Sequence, residues 1–148
     1  EIIYNKPSNT FVADFIGSPS MNLIKGKIIK KVDQISFLGE NSNNDIQIPI
    51  NNYNFDKKIE LDNKEVYFGI RPEHIYYKKS DEANFEIKLK ADLSEYIGHE
   101  QIITFNYSNQ EILAKFPSTV KIEINKEINL YFDLTQISLF DKNSKERI

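Results

Sequence analysis

The sequence contains no cysteine and only five glycines among its 148 residues. Without cysteine the chain can form neither a disulfide framework nor a thiolate metal site. The glycines stand singly, so no glycine-rich loop is available to hold a phosphate, and neither G-x-x-x-x-G-K-[ST] nor G-x-G-x-x-G occurs. No run of about 18 apolar residues is present, and the opening residues lack the basic and apolar parts of a signal peptide. The sequence therefore predicts no membrane-spanning helix and no signal peptide.

The chain also lacks the residue groupings of a catalytic or metal site. His74 and His99 each stand beside a glutamate, but neither has a partner at the spacing of a metal-binding helix, and both are expected in surface loops. No serine occurs in a nucleophile elbow, and no carboxylate pair is marked as general acid and base. The motifs predict no catalytic residue, no metal ligand and no cofactor-binding residue.

Positive charge is not in excess. The formal net charge is −3, whereas a nucleic-acid-binding surface normally carries a strong positive excess, so we expect no nucleic-acid partner. The segment Ile75–Lys79 (IYYKK) mixes aromatic rings with lysines, a combination that can also stack on bases and neutralise phosphates. In an acidic chain this segment favours a strand end with solvated lysines.

A short helix is predicted near the N-terminus, over residues 8–16. Ser8 or Asn9 can cap its first turn, and Gly17 followed by Pro19 suits its end. Four large apolar residues share one face of this helix: Phe11, Val12, Phe15 and Ile16. This face needs a packing partner.

After residue 22 the hydrophobic period changes from helical to two, which is typical of half-buried antiparallel strands. The alternation is clear over residues 85–91, 103–107, 120–124 and 128–134, and less regular strand-like stretches cover 23–32 and 65–70. Residues 107–111 (YSNQE) predict a hairpin turn between two strands. Pro49 lies in a short strand within a polar region and favours a sheet edge.

A weak internal repeat suggests two similar β-units. Each copy ends in an aromatic, an aliphatic and a glycine: Phe37, Leu38 and Gly39 in the first, Tyr96, Ile97 and Gly98 in the second. A glycine at this place suits a bend where a small barrel turns a corner. The pattern predicts a mainly all-β chain with two tandem oligonucleotide/oligosaccharide-binding (OB) type barrels, over about 23–82 and 83–148, behind the short helix.

Four motifs occur in a fixed order along the chain. They are IYNKPSNTFVADFIGSPSMN (Ile3–Asn22), FGIRPEHI (Phe68–Ile75), SEYIGHEQIITF (Ser94–Phe105) and ISLFDKNSKERI (Ile137–Ile148). Together they resemble the C-terminal part of the ATPase subunits of ABC importers of the maltose, multiple-sugar and glycerol-3-phosphate type. The resemblance runs from end to end. The chain departs from the family pattern in Tyr96 and His99, at variable positions, and in the polar loop 41–45.

The resemblance implies a longer parent protein with a nucleotide-binding domain and a regulatory domain. Residues 1–22 would be the last helix and hinge of a nucleotide-binding domain whose other parts lie upstream, and residues 23–148 the regulatory domain. ATP and Mg²⁺ would bind in the upstream domain. The parent would then be an ATP-hydrolysing subunit of a bacterial sugar importer, while the chain itself is expected to be no enzyme and to hold no cofactor.

The resemblance also implies partners and a location. The parent would be cytoplasmic, peripheral to the inner face of the cell membrane, and would contact the membrane permease subunits through its ATPase domain. Its regulatory domains would pair as a homodimer and could bind a cytosolic regulatory protein.

Two sets of candidate contact residues follow from the motifs. The apolar helix face Phe11, Val12, Phe15 and Ile16 is the expected interdomain packing surface. The GIRPEH and G-x-E segments supply candidates for a structural or regulatory contact: Arg71, Pro72, Glu73, His74, Gly98 and Glu100. From the residues alone, a stand-alone OB-type module that binds a small anion, a sugar or single-stranded nucleic acid remains the alternative function. The dispersed basic residues weigh against an anion site.

Overall fold

The computed structural model describes residues 8–9, 20–40, 46–56 and 58–148. In this part of the chain we find ten β-strands, paired antiparallel, and two single-turn 3₁₀ helices, Pro72–His74 and Leu134–Gln136. The mainly β fold predicted from the period-two pattern is confirmed. None of the described helical segments is long and apolar enough to cross a membrane.

The chain divides into two compact units. Unit 1 comprises residues 1–70 together with 135–148, and unit 2 comprises residues 71–134. The chain thus leaves unit 1, builds unit 2 and returns to unit 1 at its end.

Unit 1 contains one five-stranded antiparallel sheet. Its strands are β1 (Asn22–Lys30), β2 (Ile35–Gly39), β3 (Gln47–Pro49), β4 (Glu65–Ile70) and β10 (Ser138–Asp141). They lie in the order β10-β4-β1-β2-β3. Strand β3 is an edge strand, as Pro49 predicts, because proline has no N–H to give to a further neighbour.

Alternate residues of the unit 1 strands form its core. The largest buried side chains include Ile24, Ile28, Phe37, Ile48, Phe68 and Phe140. The rings of Phe37 and Phe68 lie with their centroids 5.1 Å apart. Gly26 leaves room for this packing, since a Cβ at that position would lie 2.5 Å from Cζ of Phe37 and 2.3 Å from the carbonyl oxygen of Leu38.

Unit 2 contains a second five-stranded antiparallel sheet. Its strands are β5 (Ile75–Tyr76), β6 (Ala83–Ile97), β7 (Glu100–Tyr107), β8 (Gln110–Pro117) and β9 (Glu127–Asp133). They lie in the order β5-β9-β6-β7-β8. The buried core of this unit includes Ile75, Ile103, Phe105, Ile112, Phe116, Leu130 and Phe132.

The predicted hairpin turn between β7 and β8 is confirmed. Ser108 and Asn109 occupy its two central positions with φ of 45° and 65°. Positive φ at both central residues is the geometry of a type I′ turn, whose twist matches that of the flanking strands.

One predicted strand is wrong. Residues 120–124 (VKIEI) form an irregular connection between β8 and β9, although their apolar residues alternate. The carbonyl oxygen of Val120 accepts a hydrogen bond from the Gln101 side chain, and the backbone N–H of Asn125 donates to the carbonyl of Ala91 at 2.7 Å. These bonds replace a strand ladder, so the alternation alone did not define a strand.

The predicted unit boundary near residue 82 differs from the observed division at residues 70 and 134. The reason is strand β10, which pairs with β4 and returns the C-terminal segment to unit 1. Apart from Ser8 and Asn9, the predicted helix and its apolar face (Phe11, Val12, Phe15 and Ile16) lie outside the described residues. Asn9 itself forms an antiparallel bridge with Glu146.

Candidate interaction surface

The β6–β7 hairpin of unit 2 carries three exposed apolar side chains close to its turn. Leu93, Tyr96 and Ile97 are 50, 65 and 63% exposed. Single apolar side chains at a protein surface are ordinary, whereas a group of large ones so close together is a mark of an interaction surface. This hairpin end is therefore the candidate site.

A β-bulge explains why Leu93 and Ile97 face solvent. Up to Ala91, alternate residues of β6 point into the core, as the predicted alternation requires. The register with β7 shifts between Ala91 and Leu93, so Asp92 is an extra residue in the strand. The shift reverses the inward and outward positions that follow. Leu93 and Ile97 consequently lie on the solvent side.

The two neighbouring strands extend this apolar surface. Cross-strand pairing places Leu93 beside Thr104 of β7, and Thr104 beside Leu113 of β8. Leu113 is half-buried, as is Ile102 in the adjacent row. The surface is named the hairpin face and consists of four residues: Leu93, Ile97, Ile102 and Leu113.

Charged residues border the hairpin face. Glu100 pairs with Lys115, with 3.3 Å between carboxylate oxygen and Nζ, and half of the Glu100 side chain is exposed. Such an exposed ion pair contributes little to folding stability. An apolar centre with a polar border is the usual anatomy of a protein–protein interface.

Gln101 anchors the turn end of the hairpin. It is fully buried. Its Nε2 donates to the carbonyl oxygens of Pro117 and Val120, the former at 3.0 Å, and its Oε1 accepts from the Ser94 hydroxyl at 3.0 Å. Because one amide ties β6, β7 and the end of β8 together, the hairpin is fixed close to its turn.

Gly98 forms the turn of this hairpin. Its φ is +61°, and a Cβ there would meet nothing within 4 Å. Gly98 and His99 are the two central residues, and positive φ at the first of them is the pattern of a type II′ turn, which favours glycine. Gly98 was predicted to lie at a barrel corner. In the structure it forms a tight hairpin turn instead.

The GIRPEH segment lies elsewhere in unit 2, where the chain enters the unit. Arg71 and Pro72 are buried, and Pro72 begins the first 3₁₀ turn, whose His74 N–H donates to the Arg71 carbonyl at 2.9 Å. His74 is half-buried rather than in an open surface loop, and its Nδ1 is buried without a hydrogen-bond partner among the described residues. Burial lowers the pKa of His74, the nearby Glu73 and Asp133 oppose this, and Arg71 adds to it.

The structure thus places the six candidate contact residues in two groups. Arg71, Pro72, Glu73 and His74 form a largely buried turn, which favours a structural role, while Gly98 and Glu100 lie at the accessible hairpin. Sequence reasoning missed Leu93 and Ile97 as surface residues and Gln101 as an anchor. No signal for this was present in the sequence, since Leu93 and Ile97 continue the odd-numbered alternation of Phe85–Ala91 and the bulge shows only in the pairing with β7.

The aromatic–lysine segment Ile75–Lys79 uses part of its aromatic surface internally. The Tyr77 ring contacts the Phe116 ring edge-on, with centroids 5.5 Å apart. Lys78 places its Nζ 5.6 Å from the Tyr77 ring centre. This arrangement agrees with the expected strand end.

Comparison with known proteins gives three kinds of match: a protein family, curated relatives and a solved structure. The MalK OB-fold domain family matches residues 17–75. The chain is 32% identical over 149 residues to the oligosaccharides import ATP-binding protein MsmX of Bacillus subtilis. It is 29% identical over 152 residues to the trehalose/maltose import ATP-binding protein MalK of Thermococcus litoralis. Each alignment covers 99% of this chain and 39% of the relative.

A similar fold is found among solved structures. The cytoplasmic molybdate-binding protein ModG superposes with a TM-score of 0.55 over 80% of this chain and 94% of that chain. The sequence identity is 9%, so the likeness concerns the fold alone and supports an OB-like architecture.

These matches confirm the resemblance drawn from the ordered motifs. The chain spans about two fifths of the length of the curated relatives it matches, which fits a C-terminal segment of such a protein. The chain is therefore similar to the C-terminal part of sugar-import ATP-binding proteins of the MalK type, and its residues 17–75 match the MalK OB-fold domain.

Proposed function

We propose that this chain is the regulatory and dimerisation region of the ATP-binding subunit of an ABC importer for carbohydrates. The relatives named as sugar-import ATP-binding proteins supply the transport context. The exposed hairpin face of unit 2 is the observation that carries the pairing role. In the proposed arrangement each sheet closes into a small OB-type barrel, and unit 2 contributes the contact.

The hairpin face suits a two-fold contact between copies. Such an interface uses the same patch on both subunits, and therefore needs a self-complementary surface. When the apolar hairpin faces of two copies meet, no charge is buried without a partner. Full burial of one Leu or Ile side chain contributes about 1.5–3 kcal/mol. Leu93 and Ile97 thus supply the driving force, and the hydrogen bonds of Gln101 near the turn limit the loss of conformational entropy on pairing.

The remaining roles belong to the parent protein. ATP and Mg²⁺ bind in its nucleotide-binding domain, which also contacts the permease at the inner face of the membrane. The chain itself holds two subunits together and catalyses nothing. A cytosolic regulatory protein can bind this region. It shifts the equilibrium between the open and closed states of the transporter only by the difference in its affinity for these two states.

Sedimentation velocity over a concentration series tests the pairing role. We expect the 148-residue chain to form dimers as its concentration rises from about 5 to about 500 µM. The double substitution L93K/I97K places charge on the hairpin face and should keep the chain monomeric. Val32→Lys is the matched control, because Val32 is 99% exposed in a turn of unit 1.

Two outcomes would contradict the proposal. One is a strict monomer at every concentration, which would favour the alternative of a stand-alone OB-type ligand-binding module. The other is dimerisation that L93K/I97K leaves unchanged while circular dichroism shows the native fold, which would remove the hairpin face from the contact.

A further inference from the structure

Unit 1 contains a cleft of about 300 Å³ beside strands β1 and β2. Eight residues line it: Lys25, Gly26, Lys27, Leu38, Gly39, Glu40, Glu65 and Lys142. A cleft of this size is at the lower end of the range for small-molecule sites. Nothing in the pairing role of unit 2 requires it.

The cleft carries an excess of positive charge. Three lysines face two glutamates, and one pair is already formed, with 3.5 Å between Nζ of Lys142 and a carboxylate oxygen of Glu65. Lys25 and Lys27 are exposed, and neither forms a side-chain hydrogen bond or ion pair with any residue that the structure describes. Among the described residues, these two ammonium groups are thus held by no partner, and Glu65 is the residue that pairs with Lys27 across the strands.

Strand geometry sets the spacing of these two lysines. Lys25 and Lys27 alternate with Gly26 in β1, so both side chains leave the same face of the sheet, roughly 7 Å apart along the strand. Flexible stems let both ammonium groups converge on one anion between them. Lysine binds phosphate as a compact point charge, so this pair suits a phosphate group better than a neutral ligand.

The acidic residues of the cleft narrow the ligand class. Glu40 also lines the cleft, is exposed and forms no ion pair with a described residue, and its carboxylate can accept hydrogen bonds from hydroxyl groups. No aromatic side chain is among the described lining residues, so the stacking that commonly holds a neutral sugar ring is absent there. We propose that this cleft binds a small phosphorylated polyol of the hexose-phosphate class, with Lys25 and Lys27 on the phosphate and Glu40 on a hydroxyl.

Calorimetric titration of the 148-residue chain tests this inference. The probes are glucose 6-phosphate, inorganic phosphate and glucose, all at matched ionic strength, because salt screens exposed charges. We expect glucose 6-phosphate to bind with a Kd of about 1 mM or tighter, inorganic phosphate to bind several-fold more weakly, and glucose not to bind. The double substitution K25Q/K27Q should weaken glucose 6-phosphate binding at least tenfold.

The chain offers a matched control in K88Q/K90Q. Lys88 and Lys90 are two exposed lysines with the same spacing on a strand, but they lie in β6 of unit 2. This variant should retain the affinity of the unsubstituted chain within about twofold.

If glucose 6-phosphate fails to bind, or K88Q/K90Q loses as much affinity as K25Q/K27Q, the site in the cleft is refuted. Equal affinity for phosphate and glucose 6-phosphate would refute the polyol part. The inference is independent of pairing, since the hairpin face of unit 2 shares no residue with the cleft.

Discussion

At the scale of single residues, Asp141 of the closing LFD motif joins two parts of unit 1. Its Oδ2 lies 2.5 Å from Nζ of Lys64, and its Oδ1 accepts hydrogen bonds from the backbone N–H groups of Asn143 and Ser144. The bond to Lys64 is the main cause that lowers the pKa of Asp141 from 3.8 to about 2, the two backbone donors add to it, and burial opposes it. The folded pKa lies below the unfolded one, so the ionised carboxylate stabilises unit 1 above about pH 4. That stabilisation is lost as the pH falls from about 4 through about 2.

Replacing Asp141 by Asn should lower the free energy of unfolding by about 1–2 kcal/mol at pH 7, because the amide keeps an acceptor but loses the charge that holds Lys64. Urea unfolding followed by circular dichroism at pH 7, 4 and 2 measures the difference, which should shrink towards pH 2. Asp33→Asn in an exposed turn of the same unit is the control and should change little. Equal stability of D141N and the unsubstituted chain at pH 7 would show that the ion pair is not stabilising.

At the scale of elements, the sequence predicts the regular strands and a confirmed turn. Strands β7 and β9 follow directly from alternation, because each has one face largely in the core and one largely towards solvent. The turn at Ser108 and Asn109 follows from its composition and its position between two such strands. These features depend only on residues that are close in sequence, so one sequence is enough to predict them.

The remaining elements depend on contacts that a local pattern does not contain. The bulge at Asp92 interrupts the alternation and turns Leu93 outward, which only pairing with β7 reveals. Residues 120–124 alternate as a strand would, but Gln101 captures the Val120 carbonyl. The hairpin face was missed for the same reason, since its residues come from three strands.

Two glycines with different structural roles provide a test at this scale. At Gly98 an alanine Cβ meets no atom within 4 Å, but the φ of +61° strains an L-residue, so Gly98→Ala should cost about 1 kcal/mol. At Gly26 the added Cβ would lie 2.3 Å from the Leu38 carbonyl oxygen and 2.5 Å from the Phe37 ring. Gly26→Ala should therefore cost about 2–3 kcal/mol or more, because sheet and core must both shift.

Urea unfolding of the two variants, with NMR amide shifts to assign each effect to its unit, measures both costs. G26A should perturb the amides of β1 and β2, and G98A only those around the β6–β7 turn. A larger loss of stability in G98A than in G26A would contradict the assigned roles.

At the scale of the whole molecule, the two units differ in how the chain builds them. Unit 2 is continuous in sequence and contains its complete sheet and core, whereas unit 1 needs both ends of the chain. The last fourteen residues supply β10, on which Leu139 and Phe140 are fully buried, and the Tyr53 hydroxyl bonds to both Leu139 and Ile148. The C-terminal segment is therefore part of the unit 1 core.

Deleting residues 135–148 should unfold unit 1 and leave unit 2 folded. The deletion exposes one side of β4 and removes Leu139 and Phe140 from the core, each worth about 1.5–3 kcal/mol when buried. It also removes Asp141, the partner of Lys64.

Amide NMR spectra of residues 1–134 should keep dispersed peaks for β6 to β9 and lose them for β1, β2 and β4. A fragment of residues 71–134, the matched control, should reproduce the retained peaks, because those strands bring their own core. Persistence of the dispersed β1 and β4 peaks after the deletion would mean that β10 covers a sheet that is already stable without it.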